Sequence, residues 1–435
     1  MEVTLAYMML LVALVIVRPM LGLFVLILLP QPGIVGVLQE QIGLKSWAGQ
    51  PACLLLGCIA LAKTLHARKS TPAFWPLVWL ALSGFYILVV NAVFVRDPIA
   101  ASFGAVFHGG LLAAYFIAKF EDLRFWRVVF SGILTLLVLS AATYWLSDSI
   151  PWLAKLDGLS YAQHTEVVRS AESIEEVLSR SARGAGVFFN QNCWAQMAAL
   201  GVVIGLGMVL KGERKTRLWG GVLFISSILG IVGAVGRSAT LAAVAGIATL
   251  VGGVFMGKTA AARGLVLSVV TAICLAAIGW AQARAESDSS FVLGSADGAK
   301  WRSEQISGVI QRFDKYWLNG GIDADASTIQ DAPHDIVLGY LIYFGLVPTL
   351  LAIAAILGGI RAMSRWVSGG AERLAGELRF PTSLLWVGHV IIPAFLVMMI
   401  SGLGNGIAAG TPYRELFLAY VLVLPRRRKP QSVPA

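Results

Sequence analysis

Residues 187–256 decide the fold. They read VFFNQNCWAQMAALGVVIGLGMVL at 187–210, KGERKTR at 211–217, LWGGVLFISSILGIVGAV at 218–235, GRS at 236–238 and ATLAAVAGIATLVGGVFM at 239–256. Three apolar runs of about the length a helix needs to cross a bilayer are separated only by short polar connections. The runs are continuously apolar, whereas a membrane barrel alternates every second residue. Helices are therefore the spanning element.

Working outward, similar runs fill the chain. Candidate spans are 3–29, 47–62, 73–94, 99–118, 125–146, 187–210, 218–235, 239–256, 264–281, 334–360, 383–402 and 408–425. Of the 435 residues 57% are hydrophobic and 13% charged, against about 25% charged in a soluble domain, which excludes a water-facing globule. The fold expected is all-α: one polytopic membrane domain over 1–435 with about twelve transmembrane helices. The opening run has acidic Glu2 before it, Arg18-Pro19 inside it and no small-residue cleavage site after it, so it predicts a retained first span. The four cysteines, Cys53, Cys58, Cys193 and Cys274, lie inside apolar runs without a CxxC pair and read as small core residues.

Charge assigns the faces. The connections at 63–72, 119–127, 211–217, 257–263, 361–380 and 425–435 hold 20 of the 34 Lys and Arg residues, and cytoplasmic loops carry that excess. Both termini are then cytoplasmic. The net charge of +10 belongs to this pattern, and the tail Arg426-Arg427-Arg428-Lys429 reads as a contact to lipid headgroups, not to nucleic acid. Parity puts two long loops on the outer face, 147–186 and 282–333. The second holds five basic and eight acidic residues. Each contains an amphipathic stretch: Val167, Val168, Ala171, Ile174 and Leu178 in the first; Trp301, Ile306, Val309, Ile310, Phe313 and Trp317 in the second. Such helices lie along the bilayer surface or cap a cavity, or pack on neighbouring loops.

One motif is rejected. Gly252 to Thr259 satisfies GxxxxGK[ST], but a phosphate-binding loop needs a strand before it, and here a membrane helix precedes it. The glycines read as helix-packing residues, and no nucleotide is expected.

The informative residues are polar groups placed where they are expensive. Gly236-Arg237-Ser238 separates two apolar runs at the outer face; a single Arg there also fits simple snorkelling. Arg183 precedes the sixth span and is followed by Phe189-Asn190-Gln191-Asn192. Arg302 opens the amphipathic helix of the large loop, and His334 opens the tenth span in Asp331-Ala332-Pro333-His334-Asp335. Asp331 and Pro333 suit a helix start. The positive end of the helix dipole disfavours imidazolium, whereas Asp335 favours it, so the protonation of His334 stays open. Taken together, arginines at an outer-face cavity suit a diphosphate, which they hold by bidentate charge-assisted bonds. A diphosphate leaves readily, so its displacement needs charge stabilisation and a base for the incoming hydroxyl. With scattered histidines and no HExxH or DxD, no metal and no cofactor is expected.

At these residues the chain resembles the O-antigen ligase and Wzy-type polymerase superfamily of bacterial membrane glycosyltransferases. The resemblance is carried by Gly236-Arg237-Ser238-Ala239 opening a span, by Arg302 in the long loop, by Pro333-His334-Asp335-Ile336-Val337-Leu338 followed by Phe344-Gly345-Leu346, and by Gly186-Val187-Phe188-Phe189-Asn190-Gln191-Asn192. It covers 180–360 at motif level. The family often has His-Asn or His-Ser where this chain has His334-Asp335, and a proline where it has Gln191. The resemblance implies a GT-C-like membrane fold in the bacterial inner membrane and an active site facing the periplasm. It implies an undecaprenyl-diphosphate-linked glycan as donor, lipid A–core as acceptor, and transfer with inversion. Arg237, Arg302 and Arg183 would bind the diphosphate and His334 would activate the acceptor hydroxyl, with Asn192 and Asp335 in support. Twelve spans and one dominant outer loop favour the ligase. A Wzy-type O-antigen or exopolysaccharide polymerase is the alternative.

Two other classes compete with this reading. A lipid-linked glycan transporter would use charges inside spans, such as Arg18-Pro19 and Arg414-Glu415. A glycoside hydrolase would use Glu172, Glu175 and Glu176, which lie on a solvated amphipathic face.

Overall fold

A computed structural model of the chain describes residues 2–28, 31–44, 55, 123–157, 184–188, 191–234, 237–285, 307–311, 313–317, 337–338, 341, 345–377 and 385–405. Among the described residues there are helices and turns and no strand. In chain order the helices are α1 (Glu2–Val17), α2 (Pro19–Leu28), α3 (Pro32–Ile42), α4 (Leu123–Leu146), α5 (Pro151–Ala154), α6 (Gln191–Lys211), α7 (Arg214–Ala234), α8 (Arg237–Val251), α9 (Ala260–Ala285), α10 (Phe313–Tyr316), α11 (Leu346–Glu377) and α12 (Leu385–Asn405). A π-helical turn, Gly252–Met256, extends α8. The segments Arg127–Leu146, Gln191–Lys211, Arg214–Ala234 and Ser238–Met256 are long and apolar enough to cross a membrane, and Val3–Val17, Ala260–Ile273 and Leu385–Ser401 are shorter apolar helices. The spans expected at 47–62, 73–94, 99–118 and 408–425 fall outside the described residues, Leu55 apart.

α6 is the central post. It packs against α4, α7, α8 and α12 and is buried on every side through most of its length, as a helix apolar all round must be. Small residues make that possible. A Cβ on Gly205 would fall 2.7 Å from the backbone N of Phe224 and 2.8 Å from the Gly220 carbonyl, so α6 and α7 cross backbone to backbone, the usual membrane solution. α7 shows the matching division of faces. Gly220, Leu223, Ser226, Ser227, Gly230 and Gly233 are buried, while Leu218, Val222, Ile225, Leu229 and Val232 form an exposed stripe at helical spacing. The buried hydroxyls return to their own helix, Ser226 Oγ donating to Val222 O at 2.9 Å and Ser227 Oγ to Leu223 O at 2.5 Å. Apolar residues outside and small or internally satisfied ones inside is the pattern that lipid as solvent demands.

Three sequence boundaries are corrected. The apolar run 3–29 is two helices broken at Arg18. Pro19 starts α2 without an N–H to lose, and Gly22 lies against Val15, where a Cβ would come 3.1 Å from the Val15 Cα. Residues seven apart on a straight helix are separated by about 10 Å, so the chain bends sharply. Arg18 is exposed at the break. The expected connection 361–380 is helical through Glu377, with a kink at Gly370 (φ 79°, ψ 175°), a region open only to glycine. Finally, the sixth span starts at Gln191, because 184–188 is a turn.

The connections 211–217 and 257–263, and the second half of α11, meet at one end of the bundle. Gly207 lies against Val390 and Leu250, and Gly253 against Trp366. Arg263 fastens this end, its Nε donating to Val367 O at 3.0 Å and Nη1 to Gly257 O at 3.2 Å. It is called the Lys211 end below, and the opposite one the Gly184 end.

Candidate functional site

The Gly184 end is built around a short non-helical strut, Gly184 to Phe188, in which Ala185, Val187 and Phe188 are fully buried. A buried non-helical backbone needs partners for its polar groups, and here three separate elements supply them. Gly184 N donates to Gly233 O at the end of α7, 3.1 Å away. Val187 N donates to Ser140 Oγ on α4 at 3.2 Å, and Val187 O accepts from Gly33 N at the start of α3 at 3.1 Å. Phe188 N closes the turn on Ala185 O at 3.1 Å. Gly186 has φ 56°, and a Cβ there would overlap the Ser140 side chain. Glycine is thus required twice over, by backbone conformation and by space.

An aromatic wall stands beside the strut. Tyr144 meets Trp145 and Trp194 with ring centroids 5.0 and 5.6 Å apart, at edge-to-face angles that aromatic rings favour. Trp145 Nε1 donates to Leu229 O at 3.3 Å. Trp194 is buried in the recess left by Gly230 and Gly233.

This strut relates the polar positions named from the sequence. Gly184 follows Arg183 in the chain and is bonded to Gly233, four residues before Arg237. Arg237 is the first residue of α8. Asn192, half-buried, is the second residue of α6, so the strut leads directly into it. The backbone therefore brings the flanks of Arg183, Asn192 and Arg237 to one end of the bundle. Arg183, Arg302, His334 and Asp335 themselves lie outside the described residues.

The large loop reaches the same end. Trp317 O accepts from Leu346 N at 2.8 Å, which ties the segment after α10 to the first residue of α11. Trp366, on α11 at the Lys211 end, is 20 residues or about 30 Å of helix from Leu346. Leu346 is thus at the far end, where α6 and α8 begin. Gly345 turns the chain into α11 with φ 82°. Of the amphipathic set in this loop, Val309 is buried while Ile310, Phe313 and Trp317 are exposed, so this protein covers only part of the apolar face. The corresponding stretch of the first loop, 167–178, and Glu172, Glu175 and Glu176 lie outside the described residues, as does Arg414-Glu415.

The rejected phosphate motif has the surroundings expected of it: the chain is helical through Met256, with Gly252 against Val266 and Gly253 against Trp366.

Sequence reading missed Gln31. Its side-chain Oε1 and Nε2 are buried without a hydrogen-bond partner among the described residues, at the N-cap of α3, two residues from the Gly33–Val187 bond. Pro30-Gln31-Pro32-Gly33 signals a turn, yet nothing local says that the turn is buried. Ser140 was missed for the same reason, being one serine inside an apolar run. No protein-family model matches the chain and no curated protein matches it significantly.

Proposed function

We propose that this chain is a membrane glycosyltransferase of the O-antigen ligase type, transferring a glycan from undecaprenyl diphosphate to lipid A–core at the periplasmic face of the bacterial inner membrane. The observation that carries the reading is the bond from Gly184 N to Gly233 O. It joins the segment after Arg183 to the helix end before Arg237, at the end of the bundle where α11, the helix after His334, also begins.

In this reading Arg237, Arg302 and Arg183 bind the donor diphosphate through bidentate, charge-assisted bonds. The acceptor hydroxyl oxygen attacks the anomeric carbon from the side opposite the diphosphate. The new C–O bond forms as the bond to the diphosphate oxygen breaks, with inversion. The hydroxyl proton passes to neutral His334, and the arginines stabilise the charge gathering on the departing undecaprenyl diphosphate. Asn192 and Asp335 support the acceptor and the imidazole. Neither a nucleotide nor a metal is required, because the leaving group is already activated.

The test is reconstitution with a purified undecaprenyl-diphosphate glycan, offering lipid A–core and unextended donor as separate acceptors. Product on lipid A–core supports the ligase. Lengthened donor replaces it with the Wzy-type polymerase. Movement of the donor across the bilayer without transfer replaces both with a transporter.

A further inference from the structure

At the Lys211 end, α7 opens with three cations on exposed positions, Arg214, Lys215 and Arg217. Lys211 precedes them and Glu213 is the one acid within 211–217, and none of the four cations forms an ion pair among the described residues. Arg217 is held in place, its Nε donating to Gly212 O at 2.8 Å, which leaves both Nη groups for an outside acceptor. Just beyond these charges the surface turns apolar: Leu218 is 68% and Trp219 55% exposed. A turn further on, a Cβ on Gly221 would meet nothing within 4 Å. Gly221 lies between exposed Leu218 and Ile225 on one face of the helix, since residues three and four apart are neighbours. The result is a shallow apolar groove running away from a cationic rim, with an indole at the boundary.

We propose that this face of α7 is a binding site for an anionic phospholipid, with the headgroup phosphate on Arg214, Lys215 and Arg217 and an acyl chain along Leu218, Gly221 and Ile225. Charge complementarity selects the occupant. Uncompensated guanidinium and ammonium groups at headgroup depth attract anionic lipid, and a guanidinium with two free nitrogens suits a phosphate diester. Trp219 sits where indoles prefer to sit, at the boundary between headgroups and hydrocarbon. The exposed stripe that continues through Leu229 and Val232 is lipid-facing, so the groove opens to acyl chains and not to a soluble anion. The site is independent of the glycosyltransferase reading and lies at the opposite end of the bundle.

Native mass spectrometry of the full chain, released from phosphatidylethanolamine nanodiscs with and without cardiolipin, measures retained lipid. Wild type is expected to keep cardiolipin over phosphatidylethanolamine. The triple variant R214Q/K215Q/R217Q is expected to lose retention on the order of tenfold or more, and W219A to lose less. K258Q, a charge removed from another connection, is expected to retain it. Equal retention in the triple variant and wild type would overturn the site, as would a loss as large in K258Q. Displacement of cardiolipin by inorganic phosphate would assign the cations to a soluble anion instead. If the triple variant fails to insert, wild-type retention across ionic strength decides. Headgroup binding weakens as salt rises, and retention that ignores salt overturns the proposal.

Discussion

The two ends of the bundle are made of opposite materials. At the Gly184 end non-helical backbone is tied to its neighbours mainly through uncharged groups: Gly184 on Gly233, Gly33 on Val187 and Leu346 on Trp317, with Ser140 and Trp145 adding neutral side-chain bonds. At the Lys211 end, Lys211, Arg214, Lys215, Arg217, Lys258, Arg361 and Arg373 are exposed, and a charged side chain, Arg263, fastens the start of α9 to α11. The difference follows from what each end must tolerate. Non-helical backbone in a membrane protein survives only where protein satisfies its polar groups. A cationic rim survives only where water and headgroups solvate it. The first kind of end can hold side chains in fixed positions around a ligand, and the second can hold the protein in its membrane.

The comparison is broken most severely by His334. Changing it to Ala is expected to lower transfer by roughly 10²–10⁴-fold, the usual contribution of a positioned base, while binding of the lipid-diphosphate donor persists. Unchanged turnover in the reconstituted system would remove His334 from the chemistry. Next in size is Gly186→Ala, which places a Cβ on the Ser140 side chain in a left-handed conformation. A cost of about 2–4 kcal/mol is expected from strain and overlap together, read as a fall in melting temperature in detergent accompanied by loss of transfer.

Arg263→Gln sharpens the contrast from the other side. It removes the bonds to Val367 O and Gly257 O, at about 1–3 kcal/mol for hydrogen bonds from a charged group. The expected signature is a stability loss with transfer intact in the folded fraction. An equal loss of specific transfer would mean that the two ends are coupled. The smallest effect is expected from Gln31→Leu, which deletes an amide buried without a partner among the described residues. Replacing such a group by an apolar one of similar size is neutral or stabilising, by up to ~1 kcal/mol. A clear destabilisation would show that the amide is satisfied by bound water.

Much of the helical scaffold was legible because the bilayer imposes a strong local rule. Any run as long and apolar as 191–211 or 214–234 must be helical, since nothing else satisfies its backbone in hydrocarbon. The break between α7 and α8 before Arg237, and the basic connections 211–217 and 257–263, announce themselves by composition. The exceptions were also chemical: Arg18-Pro19 breaks a run that hydropathy alone reads as one span, and α11 continues past its apolar portion because Arg361, Arg365 and Glu372 are good helix formers.

Composition and periodicity determined that the chain is an all-α membrane protein with its positive charge gathered on particular connections, and the residue types pointed to a diphosphate-using chemistry. Only the tertiary structure decided that 184–188 is a buried strut, that Ser140 and Gly33 receive it, and that its first residue is bonded to the helix end leading into Arg237. The reason is physical. Hydropathy is a property of each segment against its solvent, whereas a hydrogen bond between residues 184 and 233 depends on how helices pack, and helix packing is set by the shapes of all their faces together.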